Sequence, residues 1–153
     1  MSNIAGIYWD DTAAAPGIAL SVYFAGCPLH CPGCHNPEAQ SFSYGEPFTD
    51  DTIKEIIKKL HKNGVMRNLS ILGGEPLCKE NVPSVDKLIS ECKKVYPDLV
   101  VYIWSGYTFA ELKTRWEDEP LIYHILHECN TLIDGRYEQE KRDTTLYLRG
   151  SSN

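Results

Sequence analysis

Short apolar runs alternate along this chain with stretches in which apolar residues recur at helical spacing. Ser21 to Ala25 (SVYFA) predicts a buried strand leading straight into a loop whose Pro28, Pro32, Gly33 and Pro37 forbid a continuous helix. Thr49 or Asp50 can cap a helix carrying Ile53, Ile56, Ile57 and Leu60, with Gly64 placed as its C-terminal cap. Leu69 to Leu72 then reads as a short strand ended by Gly73-Gly74. Val85, Leu88, Ile89 and Cys92 mark a second helix, and Leu99 to Trp104 (LVVYIW) is the continuous apolar run that parallel strands show. Thr108 can start a third helix, Leu121 to His127 a fourth, and the strands TLIDG and TLYLR (Thr145 to Arg149) complete the pattern.

Strand and helix in alternation predict an α/β fold: one domain over residues 1–153, with a mainly parallel sheet and flanking helices. In such sheets functional groups collect at the C-terminal ends of the strands. Cys27, Gly73, Ser105 and Asp134 each fall at or just past such an end, so they are expected to meet on one edge.

Charge narrows the partners. The chain has 153 residues and a formal net charge of -6, with no basic stripe for a phosphate backbone, so nucleic acid is not an expected partner. The start MSNIAGIYWDD lacks the basic and apolar regions of a signal peptide, and no apolar segment approaches the roughly 20 residues a membrane helix needs. Cytoplasmic location is the resulting expectation, and in a reducing compartment clustered cysteines favour metal over disulfides.

Cys27, Cys31 and Cys34 form C-x3-C-x2-C in the segment FAGCPLHCPGCHNPE, with no fourth thiol nearby. A cubane [4Fe-4S] cluster has four irons, normally each bound by a thiolate. Three thiolates leave one iron open, and an open coordination position is where a substrate binds. The same cysteines with His30 or His35 can also form a structural zinc site. Cys78, Cys92 and Cys129 stand alone and read as small buried hydrophobes. Trp104 and Tyr107 read as core aromatics, Glu117 to Glu119 as a solvated face, and His61, His124 and His127 as residues without a ligand role.

The cysteine motif followed by a GGEP turn after the next strand resembles the radical S-adenosylmethionine (SAM) enzymes. The wider pattern is similar to the activating components of anaerobic, class III ribonucleotide reductases: Pro16-Gly17 ahead of a strand, GCPLHCPGCHNPE, LGGEPL, IWSGYTFAEL, LIDGRYE and LRGSSN. The resemblance spans nearly the whole chain and implies a shortened partial (β/α) barrel. It implies that Cys27, Cys31 and Cys34 hold a [4Fe-4S] cluster whose fourth iron is chelated by SAM. Gly33, Cys34 and His35 would then pass the adenine, Gly73, Gly74 and Glu75 would meet the amino end of SAM, and Ser105 and Asp134 would contact ribose or methionine. Glycine at such a turn permits positive φ and close backbone approach.

The implied reaction passes one electron from the reduced cluster to the SAM sulfonium, releasing methionine and a 5'-deoxyadenosyl radical. That radical takes a hydrogen from a glycine Cα of the partner reductase, leaving a glycyl radical there. The implied partners are this glycyl radical enzyme and a low-potential electron donor. An activase of another glycyl radical enzyme, such as pyruvate formate-lyase, and a non-catalytic iron-sulfur or zinc protein are the alternatives. Where the family commonly reads DGPG, then a hydrophobic residue and arginine, this chain has Ala14-Ala15-Pro16-Gly17-Ile18-Ala19.

Overall fold

The computed structural model describes residues 2–153. Six strands form one sheet in the order β3-β1-β2-β4-β5-β6. They are β1 (Asn3–Asp11), β2 (Ala19–Phe24), β3 (Glu46–Pro47), β4 (Asn68–Gly73), β5 (Val101–Trp104) and β6 (Thr131–Ile133). Strands β2, β4, β5 and β6 run parallel, while β1 is antiparallel to both β2 and β3. The sheet is therefore mixed rather than mainly parallel, and a barrel closure is not part of the architecture described. Strand β1 went unread in the sequence because Gly6, Asp10 and Asp11 interrupt its apolar pattern, and its pairing with β2 shifts register twice.

Helices α1 (Asp50–Leu60), α2 (Val82–Val95), α3 (Phe109–Arg115) and α4 (Pro120–Glu128) lie between or after the parallel strands. Helix α1 starts at a reciprocal cap in which Thr49 and Thr52 exchange backbone-to-side-chain hydrogen bonds. Asp50 and Asp51 in its first turn and Lys58 and Lys59 in its last complement the helix dipole. It ends at His61, earlier than expected, and Gly64 takes its positive φ of 73° in the following turn. Helix α3 begins at a true capping box of Thr108 and Glu111.

Register explains where the core sits. Leu20 pairs with Leu69, Val22 with Ile71, Leu69 with Val101 and Ile71 with Ile103, so these side chains form rows on one face. Ile53, Ile56 and Leu60 of α1, Val85, Leu88, Ile89 and Cys92 of α2, and Ile122 and Ile125 of α4 bury that face. The opposite face carries Ser21, Tyr23, Ser70, Leu72, Tyr102 and Trp104; among the described residues no helix packs over it, and loops bury Ser21 and Ser70. Buried Arg67 donates to Asp10 at 2.6 Å and to the carbonyls of Lys62 and Val65, tying the end of β1 to the loop before β4.

The expected strand at Thr145 to Arg149 does not form. Asp143 Oδ1 accepts the Thr145 N–H at 2.9 Å, and Leu148 adopts a left-handed φ of 60°, so the segment turns instead of extending. It folds back on itself through the bridge Arg142–Ser151. Cys78 and Cys92 are buried as read, whereas Cys129 is only partly buried against the core; Trp116 also packs there, and among the described residues no helix is long and apolar enough to cross a membrane.

Candidate functional site

Because β2, β4, β5 and β6 are parallel, the loops leaving their C-terminal ends emerge together. Cys27, Gly73, Ser105 and Asp134 all line one cleft of about 320 Å³ there, joined by Cys31, Cys34, His35, Gly74 and Glu75. Gly33 is absent from that wall. Its φ of 75° is what demands glycine, while the nearest neighbour a Cβ would meet is the movable Gln139 side chain of the C-terminal segment.

The cysteine loop keeps its shape through scattered bonds rather than a regular element. Gly26 N–H donates to Ala39 O at 2.7 Å, Cys27 N–H to Gln40 O at 3.0 Å, and Cys34 N–H to Cys31 O at 3.2 Å. His30, with a φ of 50°, places Nδ1 at 2.8 Å from Gln40 Oε1, while the His35 ring packs against Tyr137 at 4.9 Å. Cys27, Cys31 and Cys34 are all free thiols. Burial pushes the Cys27 thiol up, so a metal bound there must supply the free energy of its deprotonation.

The donor set fits a cluster: three free thiols line one cleft. Each thiolate of a cubane binds its own iron, which suits sulfurs spread along a cleft wall.

The glycine turn is built to touch the cysteine loop. Gly73 has a φ of 119°, and a Cβ there would lie 2.3 Å from Phe24 O; one on Gly74 would lie 2.5 Å from Gly26 O. Gly74 N–H donates to Phe24 O at 2.7 Å and Glu75 N–H to Gly26 O at 2.8 Å. Two glycines in succession permit this approach.

Glu75 is 1% exposed, and its carboxylate turns to the next strand. Oε1 accepts from Ser105 Oγ at 2.7 Å and from Leu77 N–H at 2.9 Å, while Oε2 accepts from Gly106 N–H at 2.6 Å. Burial pushes its carboxyl up against the opposing pull of these donors. Ser105 is thereby committed to Glu75, and Asp134 Oδ2 accepts the Phe109 N–H at the start of α3 at 2.6 Å. Both residues stand in the cleft wall with their side chains holding structure.

Sequence reasoning missed Asn81, which lies behind the glycine turn, and Arg136 and Arg149 in the cleft wall. The arginines stand in the quoted segments LIDGRYE and LRGSSN, but only folding shows that the C-terminal segment brings them into this wall. Trp104, read as core, instead lines the cleft and donates its indole N–H to Leu148 O at 2.8 Å. A second groove of about 530 Å³ adjoins on the same sheet face. It shares Tyr23, Leu72, Trp104, Arg149 and Gly150 with the cleft and is rimmed by Asp10 to Ala14.

Residues 13–153 match the family described as a 4Fe-4S single cluster domain. The chain is 32% identical over 144 residues to the anaerobic ribonucleoside-triphosphate reductase-activating protein of Escherichia coli (strain K12), covering 94% of this chain and 90% of that relative. It is 34% identical over 152 residues to the protein of the same name from Pasteurella multocida (strain Pm70), covering 99% and 94%. The Enterobacteria phage T4 protein of that name is 30% identical over 151 residues, covering 99% and 90%.

Proposed function

The chain belongs to the anaerobic ribonucleoside-triphosphate reductase-activating protein family, and from that premise we propose that it is a radical SAM activase that generates a glycyl radical on the reductase. The observation that carries the reading is the single cleft into which three thiols, the Gly73-Gly74-Glu75 turn, Ser105 and Asp134 are gathered. Cys27, Cys31 and Cys34 would hold a [4Fe-4S] cluster with one iron left open to SAM. When bound, the cluster supplies the electron for reductive SAM cleavage, chemistry that belongs to the cofactors.

The chain's own residues bind and orient. Gly73 and Gly74 let main-chain groups come close to the amino end of SAM, while Cys34 and His35 form the side of the loop proposed to pass the adenine, with Gly33 turning the loop behind them. Glu75 acts from beneath, fixing Ser105 and Gly106 through its buried carboxylate. The groove beside the cleft leaves room for a protein segment carrying the target glycine, as a protein substrate requires. A low-potential electron donor is the second partner. The acidic charge argues against nucleic acid, and the cytoplasm is the proposed location.

The test is 5'-deoxyadenosine formation by protein reconstituted anaerobically with iron and sulfide, then given SAM and dithionite, beside Cys31→Ala. Addition of the reductase should yield a glycyl radical signal by electron paramagnetic resonance. Zinc near one equivalent without sulfide would sink the reading; a verified cluster that cleaves no SAM, even with the reductase present, would leave an electron carrier.

A further inference from the structure

Asn81 immediately precedes α2, the position where an asparagine side chain ordinarily accepts an N–H from the first helical turn. No such cap forms. Its Nδ2 donates instead to Ala25 O at 2.9 Å and Glu75 O at 3.0 Å, with Gly26 O at 3.5 Å. Asn81 is 1% exposed, and among the described residues its Oδ1 has no hydrogen-bond partner. A missing cap and a buried unpaired oxygen both lower stability. What asparagine contributes here is the pair of bonds its amide makes to carbonyls of two different loops.

Those bonds join two loops. Ala25 lies two residues before Cys27, and Glu75 closes the glycine turn. The turn already donates to the cysteine loop through Gly74 and Glu75 N–H. Asn81 adds a donor from a third element, the start of a helix whose Val82 and Val85 are buried in the core. The bracket is thus anchored on packed structure, which is what holds site groups to fractions of an ångström.

We propose that Asn81 is a positioning residue for the cofactor site: by donating to both carbonyls, its amide sets the spacing between the cysteine loop and the glycine turn, and with it the placement of SAM against the cluster. The inference rests on the functional reading above.

The test compares the full-length chain with Asn81→Ser, which keeps a shorter donor, and Asn81→Asp, which replaces the donating amide by an acceptor facing carbonyl oxygens. Each protein is loaded anaerobically with iron and sulfide. Iron content, thermal midpoint, SAM affinity and the paramagnetic resonance spectrum of the reduced cluster with and without SAM are then measured. The expected result is full iron content in Asn81→Ser, SAM affinity weakened about tenfold or more, and a blunted spectral response to SAM, with Asn81→Asp worse in both. Asn81→Ser that binds SAM within about twofold of the unaltered chain and responds identically would overturn the inference. Loss of fold in both variants before iron is added would overturn it too, since that makes Asn81 a residue of the core at large. An unaltered chain that holds its cluster yet binds no SAM refutes the functional reading itself, a failure told apart because no Asn81 variant enters it.

Discussion

The two faces of the sheet are made by the same strands yet held by different physics. On the helix-covered face, rows such as Val22, Ile71 and Ile103 bury apolar surface, an attraction without direction that needs volume and little else. On the open face three polar side chains are satisfied singly. Ser21 Oγ donates to Asp11 Oδ2 at 2.8 Å, Ser70 Oγ to Ala14 O at 3.2 Å and Trp104 Nε1 to Leu148 O at 2.8 Å. The covered face supplies stability, and the open face supplies placement.

If that division holds, substitutions on the two sides separate stability from cofactor chemistry. The largest effect belongs to Cys31→Ala, which should abolish SAM cleavage and lower bound iron while leaving the thermal midpoint of the iron-free protein nearly unchanged; iron analysis and calorimetry check both. Leu88→Ala on the covered face should cost about 3 kcal/mol in denaturant unfolding, with the cluster's absorption spectrum preserved in whatever fraction is folded. Gly74→Ala should cost about 2 kcal/mol and, unlike Leu88→Ala, should also weaken SAM binding, because its Cβ would press on Gly26 O and Ala39 O. A Gly74→Ala protein with unaltered affinity would break the comparison.

The smallest effect is electrostatic. The Arg136 guanidinium holds the Glu111 carboxyl below the usual carboxylate range, helped by the Thr108 N–H. The folded value lies below the unfolded one, so this contribution is present above the unfolded value and fades as pH falls through the folded one. Solvent exposure of the pair limits it to less than about 1 kcal/mol. Acid titration of stability should lose that small slope in Glu111→Gln.

The covered face was also the legible one. Helices α1 and α2 announced themselves because burying one face imposes a periodicity that survives in sequence, and β4 and β5 because strands buried in a parallel sheet read as continuous apolar runs. The meeting of Cys27, Gly73, Ser105 and Asp134 followed from strand order alone. What escaped depended on individual bonds. TLYLR has a strand's composition, but the Asp143 side chain captures a backbone donor the ladder would need. Glu75 looked like a cofactor contact, and its carboxylate faces Ser105 and Gly106. Asn81 drew no reading at all, because nothing local in the sequence shows that its amide reaches across to two other loops.

The C-terminal segment also bears on how the protein is made. Cys27, Cys31 and Cys34 leave the ribosome early, whereas Arg149, Gly150 and Ser151, which complete the same cleft, are translated more than a hundred residues later. Domains fold as units during synthesis, so the thiols gain their full wall only when the C-terminal segment has been made. If they hold a cluster as proposed, stable loading is expected only in the finished domain, where Arg149, Gly150 and Ser151 complete the cleft.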